Sequence, residues 1–271
     1  MPAPQAAVLN AAAVAKFQSF RIQLPAVRGI VSMPSTPPLT RASVVGPELF
    51  RAASTSSQDI SKQRQMNDQY AKLFQGLSNG FASAWQLFHL SATLRNVTIN
   101  AVTAVGGNIV CPNLQQTVYL QSSTAGTGQW EAKIRERVAA AFWSCWKQML
   151  DSVSVPGLPW YPAFAGLPMP VAPPTPNIPT PFIALKKNTA PMAASNLKNA
   201  FSNSLQGSMD YHTQFSEALA ASIDASFQVW LIQTMVTNVL GTGPVPAFAP
   251  PYVPVGPVVG GMGNMTPGGF V

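Results

Sequence analysis

The stretch WKQMLDSVSVPG at residues 146–157 decides how this chain is organised, because it recurs in diverged form as WLIQTMVTNVLG at residues 230–241. In both copies an aromatic helix end leads into a β-branched segment and a glycine. The match continues without gaps, since the PAFA motif at 162–165 meets a second PAFA motif at 246–249. A spacing of 84 residues thus relates two units of the chain. An internal repeat of this kind constrains the choice of fold more strongly than any short motif does.

A weaker third copy precedes these two. A further shift of 58 residues brings it into line, and the equivalent pairs are Phe88 and Trp146, Val97 and Val155, and Pro112 and Pro170. The alternative is that the matches arise by chance in a chain rich in Pro and Ala. The repeat predicts three copies of one unit, each a helix followed by an uncharged tail, and no single unit can close its own core.

We therefore predict a mainly α fold with minor β structure (α+β). It would consist of three tandem helix-plus-extended-arm units whose helices pack through their aromatic ends. The predicted segments are an extended basic N-terminal arm at 1–56 and repeat units at 57–126, 127–190 and 191–271.

Large apolar residues at helical spacing predict helices at 57–95, at 129–151 and from 192 to 240, with a possible break at Gly207. Gly76 and Gly80 lie inside the first helix and predict either a local kink or the close approach of another helix. Residues 97–112 alternate in hydropathy and predict a hairpin that turns at Gly106-Gly107.

Charge is scarce and unevenly placed. Only 9% of the 271 residues are charged, the net charge is +7, and 26 residues are proline. Charged helical segments alternate with uncharged segments at 96–130, 152–185 and 225–271. The many aromatic residues argue against a wholly disordered chain, and the low charge argues against a well-solvated free monomer. Uncharged chain can lie against another protein without the cost of burying charge.

Motifs for catalysis and for metal or cofactor binding are missing from the sequence, so we predict a non-enzymatic protein with no cofactor and no metal site. Asp210, His212 and Glu217 are the only titratable cluster worth testing, and a solvated helical face is the simpler interpretation. Two cysteines, Cys111 and Cys145, are too few for a disulfide scaffold. Residues 1–15 lack a basic region, and the longest unbroken apolar run has six residues, so neither a signal peptide nor a membrane span is predicted.

Together these features favour a structural subunit of a large assembly. The first hypothesis is a tailed-phage virion component of the tail or baseplate, or a part of a contractile injection particle, made in the host cytoplasm. Its uncharged arms would clamp other virion proteins or further copies of itself in a ring or other symmetric arrangement. The predicted interface anchors are five aromatic residues: Phe88, Trp146, Phe164, Trp230 and Phe248.

Two alternatives stay open. The first is a capsid-associated virion protein whose basic N-terminal region touches the genome, because nine of the 16 Lys and Arg residues precede residue 96. Those residues are dispersed and not in a run, so nucleic acid is the less favoured partner. The second alternative is a secreted membrane-active translocator that inserts residues 223–240, although that segment lacks the Lys and Arg usual on interfacial helices.

Overall fold

The computed structural model describes residues 4–22, 57–124, 128–166, 168–249, 253–254 and 256–271. It confirms a mixed α+β fold with an antiparallel sheet. The described α-helices are α1 (Ala6–Ser19), α2 (Ser57–Ser91), α3 (Leu114–Gln121), α4 (Gln129–Leu150), α5 (Ala194–Leu205) and α6 (His212–Gln233). Short 3-10 turns lie at Pro162–Ala165, Phe182–Ala184 and Ala190–Met192.

The six helices form a closed ring. Each helix contacts the next one along the chain, and α6 contacts α1. Long helices α2, α4 and α6 alternate around this ring with the shorter α1, α3 and α5. The ring therefore consists of three helical pairs that surround one shared apolar core.

Part of the segment predicted as an extended arm at 1–56 is the helix α1. Leu9, Ala13 and Phe17 follow one another at a spacing of four residues and are buried where α1 lies between α2 and α6. This apolar stripe stabilises a helix, whereas the sequence had been interpreted as an extended basic arm. The remainder of the predicted arm, residues 23–56, lies outside the described residues.

Aromatic side chains on the long helices contact one another across the core. Phe74 contacts Phe215 at a ring-centroid distance of 4.7 Å, and Phe81 contacts Phe142 at 4.8 Å. Residue numbers increase together along the three helices, so α2, α4 and α6 run in the same direction. The helices thus meet through aromatic residues along their length, including the end that leads into the sheet.

The three repeat-equivalent aromatic residues form a triangle at that end. The ring centroids of Phe88 and Trp146 are 5.4 Å apart, those of Phe88 and Trp230 5.6 Å, and those of Trp146 and Trp230 5.5 Å. Such mostly edge-to-face contacts add to the stabilisation from burial alone. The contact agrees with the predicted packing of helices through their aromatic ends, whereas the tandem repeat itself stays a prediction.

Gly76 and Gly80 allow α3 to pack directly on the backbone of α2. A Cβ atom on Gly80 would collide with the Val118 carbonyl oxygen, and one on Gly76 would collide with the Ser122 carbonyl oxygen. Of the two sequence interpretations, the close approach of another helix is therefore the one that the structure shows. The spacing of four residues puts both glycines on one face of α2.

Six strands form the main sheet, in the spatial order β3-β2-β1-β10-β7-β4. They are β1 (Thr93–Asn100), β2 (Thr103–Val110), β3 (Val155–Pro159), β4 (Val171–Thr175), β7 (Val239–Pro244) and β10 (Gly261–Met265). The minor strands β5 (Thr180–Pro181), β6 (Met235–Val236), β8 (Phe248–Ala249) and β9 (Val253–Pro254) form two further pairs. All neighbouring strands that pair are antiparallel.

The uncharged tails that were predicted as extended arms form this sheet. Strands from all three predicted units pair with one another, so the uncharged tails satisfy their backbone hydrogen bonds within the chain. The first predicted helix ends at Ser91 because Leu94 already pairs with Ile109 in the sheet. Helix α6 ends at Gln233 because the β-branched segment beyond it forms β6 and β7.

The predicted hairpin is confirmed, but its turn is displaced. Asn100 pairs with Thr103, so the chain turns at residues 101–102, where Ala101 has a φ of 54°. Gly106 lies within β2 opposite Val97. Gly106 and Gly107 have φ values of 75° and 82°, which a glycine adopts without strain.

The first PAFA motif packs against the inner face of the sheet. A Cβ atom on Gly241 would lie 2.9 Å from the Tyr161 ring and 3.0 Å from the Phe164 ring. These two rings stack with centroids 4.9 Å apart, and the Tyr161 hydroxyl donates to the Val239 carbonyl at 2.7 Å. Glycine on the inward positions of β7 and β10 thus makes room for the aromatic layer.

Candidate functional site

The uncharged segments of the sequence converge in one place. The six strands of the main sheet carry a single charged residue, Arg95. The described ion pairs lie on helices or at a helix end: Lys16–Glu217, Lys198–Glu217 and Lys147–Asp151. The charged and uncharged segments of the sequence therefore occupy different parts of the fold. The charged residues lie mostly on the helices, and the sheet is nearly neutral.

The outer face of the sheet is exposed and uncharged at its centre. The strand register aligns Val105, Thr98, Met262 and Thr242 in one row across β2, β1, β10 and β7. All four side chains are exposed, with Met262 at 52% and Val105 at 38%. We call this row, with the exposed positions around it, the outer sheet face.

Proline protects both edges of the main sheet. Edge strand β3 contains Pro156 and Pro159, and edge strand β4 contains Pro173 and Pro174. Proline has no N–H to offer a further strand, and natural sheets use it to prevent edge-to-edge pairing. The prolines therefore disfavour the addition of a further strand at either edge of the sheet.

Four of the five predicted anchor residues lie inside the molecule. Phe88, Trp146 and Phe164 are fully buried, and Trp230 is 4% exposed. They contact other parts of the same chain, because one helical ring and one sheet are enough to cover them. The side chain of Phe248 lies outside the described residues.

The sequence of β10 contains a pattern that indicates an exposed sheet face. Strand β10 reads Gly-Met-Gly-Asn-Met, and its glycines face inward while Met262 and Asn264 face outward. This alternation of very small and larger residues marks a strand that packs closely on one side only. From the sequence, this glycine-rich segment had been interpreted as a flexible or strand-like tail, and the structure shows a strand.

The titratable cluster on α6 is not gathered into one cavity. Asp210 lines a cavity of about 430 Å³ together with Tyr70, Trp130 and other residues, whereas His212 and Glu217 are not among its lining residues. Glu217 is instead held by Lys198 and Lys16, and its hydrogen bond with Lys198 is the main reason why its pKa is lowered. The three residues therefore form no common site.

His89 connects three elements at the aromatic end of the helices. Trp230 Nε1 donates to His89 Nε2 at 2.6 Å, so the other ring nitrogen carries the proton and donates to the Phe270 carbonyl at 2.8 Å. Burial is the main cause that lowers the pKa of His89, and the hydrogen bond to the Phe270 carbonyl opposes this shift. His89 is thus a neutral structural residue that ties α2 to α6 and to the C-terminal segment.

We expect the free energy of unfolding to fall as the pH drops below about 6.5, the ordinary pKa of histidine. The unfolded chain takes up a proton there that folded His89 resists, so the contribution is complete at higher pH and is lost on acidification. The slope should reach at most about 1.4 kcal/mol per pH unit. Urea unfolding between pH 5 and pH 7.5 measures it.

The matched variants for this measurement are His89→Gln and His212→Gln. The first should flatten the pH dependence in this range, and the second should leave it unchanged because His212 makes no such bridge. An unaltered slope in His89→Gln would show that another group is responsible.

Two grooves flank the start of α1. One, of about 660 Å³, lies against α2 and α3 and is lined by amide and small side chains together with His89 and Leu90. The other, of about 330 Å³, lies against α6 and is lined mostly by apolar residues, among them Val8, Val229 and Trp230. Neither groove is lined by Asp, Glu, Lys or Arg, so neither offers an acid–base pair.

Other chemistry finds little support in the described part of the chain. A search of these residues finds no group of three or more His, Cys, Asp or Glu side chains that could hold a metal ion. Both cysteines are free, and burial raises their pKa. None of the described helices combines the length and the apolar character that crossing a membrane requires.

No match was found among protein-family models, curated proteins or solved structures.

Proposed function

We propose that the chain is a non-enzymatic structural subunit of a large assembly and that the outer sheet face is its contact with neighbouring subunits. The observation that carries the proposal is the convergence of the three uncharged segments in one sheet, whose exposed face is neutral at its centre. A protein with a net charge of +7 that keeps the centre of one face free of charge has a surface suited to being covered.

Physical chemistry supports this use of the face. Covering neutral side chains such as Thr98 and Met262 requires no charged group to lose its water. Apart from the buried Glu131 and Arg135, the described lysines, arginines and carboxylates of the helices reach solvent, where they maintain solubility during assembly. The two parts of the molecule therefore suit the two environments that a subunit of an assembly meets.

The assembly that we propose is a tailed-phage virion, at its tail or baseplate, or a contractile injection particle. Low charge, many prolines and a neutral contact face support a component that is permanently surrounded by neighbours. We also propose that the three helical pairs are copies of one unit. The contact among Phe88, Trp146 and Trp230 supports this, as does the strand that follows each long helix: β1, β3 and β7.

Sedimentation tests the proposal directly. Lysates of cells that produce the full chain are separated on a density gradient, and the chain is located with an antibody raised against it. We expect the chain in fast-sedimenting particles, and we expect immunogold labelling to mark a fixed position on them in electron micrographs.

The control pair is Met262→Lys and Leu120→Lys. Met262 lies on the outer sheet face, whereas Leu120 is similarly exposed, at 55%, on α3. The first variant should be lost from the particles and the second retained. A wild-type chain that remains entirely among slowly sedimenting proteins would contradict the proposal.

A further inference from the structure

We propose that residues 168–181 are a docking site for a protein whose groove is lined by aromatic side chains and accepts a polyproline II helix. We call this segment the proline ridge. It begins at the β4 edge of the main sheet and continues beyond that strand, so it is a second contact surface besides the outer sheet face and goes beyond the proposed function. The spacing of its prolines, their exposure and the way the fold holds the segment extended all support this use.

Proline recurs in the ridge at the repeat of a polyproline II helix. Seven of the 14 residues from 168 to 181 are proline. Four of them follow one another at every third position: Pro170, Pro173, Pro176 and Pro179. A polyproline II helix has three residues per turn, so prolines at this spacing lie on one side of it. The segment therefore consists of three successive P-x-x-P motifs.

Every proline of the ridge is exposed. Protection of the sheet edge explains only Pro173 and Pro174, because the other five lie outside β4. The strand is irregular at these two residues, since the three steps from Ala172 to Thr175 match only two steps of β7. Pro173 and Pro174 therefore both face solvent, whereas a regular strand would turn one of them inward.

Local sterics hold the ridge extended before any partner binds. Proline fixes its own φ at about −65° and keeps the residue before it out of the α region. Within residues 168–181, only Val171 and Asn177 are neither proline nor followed by proline. Val171 is held by its pairing in the sheet. At the end of the ridge, Pro181 has a φ of −58° and a ψ of 137°, which is polyproline II geometry.

Asn177 fastens the middle of the ridge to the rest of the fold. It is buried, its Oδ1 accepts from the Val239 N–H at 2.9 Å, and its Nδ2 donates to the Val236 carbonyl at 3.1 Å. The ridge is thus held from inside while its prolines stay exposed. A segment that is already extended loses little conformational freedom on binding, which favours its recognition.

The chemistry of the ridge specifies the kind of partner. Beside the prolines it exposes the apolar side chains of Met169, Val171 and Ile178. Polyproline II segments with P-x-x-P motifs dock in grooves lined by aromatic side chains. No residue from 152 to 185 is charged, so the contact requires no opposite charge on the partner. Addition of a strand, the other way to bind an extended segment, is disfavoured because proline has no N–H to donate.

Titration calorimetry of the full chain with three recombinant domains tests the inference. The probes are an SH3, a WW and an EVH1 domain, because each binds polyproline II segments through an aromatic-lined groove. Salt at about 0.5 M suppresses attraction between a chain of net charge +7 and acidic surfaces of the probes. We expect at least one domain to bind with micromolar affinity, and we expect the same domain with its groove tryptophan replaced by alanine not to bind.

Two double variants with the same number of changes locate the contact. Pro176→Ala with Pro179→Ala removes two rings from the row and should weaken binding at least about tenfold. Pro112→Ala with Pro267→Ala is the matched control, because both prolines are exposed and lie outside the ridge. The control should bind like the wild-type chain. Circular dichroism verifies that both double variants keep the fold.

Two results would overturn the inference. Absence of binding by all three domains at millimolar concentration would show that the ridge is not recognised as a polyproline II helix. Equal affinity of the two double variants would place the contact elsewhere. Since binding is measured on the isolated chain, the proposed function is judged separately by sedimentation.

Discussion

Replacing Trp146 by alanine is expected to lower the free energy of unfolding by about 3–5 kcal/mol, the usual range for truncating a buried tryptophan. Trp146 is fully buried, and its ring contacts aromatic residues of all three long helices: Trp85, Phe88, Phe142, Phe227 and Trp230. The cavity would lie where the helices meet, and none of the surrounding rings can fill it without leaving another contact. Urea unfolding followed by circular dichroism measures the loss.

Trp146→Phe is the informative companion variant. The indole N–H of Trp146 has no hydrogen-bond partner among the described residues, so phenylalanine loses ring area and no hydrogen bond. We expect less than half of the destabilisation seen with alanine. If Trp146→Ala were as mild as a surface change such as Leu120→Ala, the aromatic triangle would not be the centre of the core.

Gly80→Ala is the second change with a large expected effect, and its sign opposes helix propensity. Alanine favours a helix interior by about 1 kcal/mol over glycine. In α2, however, the added Cβ atom would meet the Val118 carbonyl oxygen, which is backbone and cannot move without displacing α3. We expect a net loss of about 1–3 kcal/mol in the free energy of unfolding, the range for overpacking a close contact.

Asn79→Ala is the matched control for this prediction. Asn79 precedes Gly80 in the same helix and is exposed, so alanine there should keep or slightly raise stability through propensity. If both variants proved stabilising, α3 would not lie against Gly80 as the structure places it.

Local patterns in the sequence were sufficient to predict the long helices and their meeting point. Large apolar residues at helical spacing mark α2, α4 and α6, and the repeat had aligned Phe88, Trp146 and Trp230 before any contact was visible. Burial of such large rings is strongly favourable wherever the chain permits it. The helices therefore follow from short-range information.

The sheet could not be predicted in the same way. Its central pair joins β1 to β10, where Val97 lies opposite Gly263. Pairings across such a distance in sequence leave no local periodicity to detect. A neutral, proline-rich segment reads the same whether it is covered by its own chain or by a neighbour, which is why Phe164 was assigned to an interface and lies in the core.

Charge distribution was the more informative signal. The uncharged segments predicted chain that neighbouring subunits cover, whereas the structure shows that one face of the resulting sheet is covered by the chain itself. Only the strand register reveals which side chains remain outside, because alternate residues of each strand face opposite sides. Met262 and Thr98 emerged as candidate contact residues only from that register.

Methionine oxidation tests the central claim most directly, since it reports whether the outer sheet face becomes covered. Wild-type chain free in dilute solution and wild-type chain in isolated particles are treated briefly with hydrogen peroxide, and peptide mass spectrometry compares oxidation of Met262 with that of Met66 in the helical part. We predict that Met262 reacts markedly more slowly in the particles while Met66 is unchanged. Equal oxidation of Met262 in both samples would contradict the account.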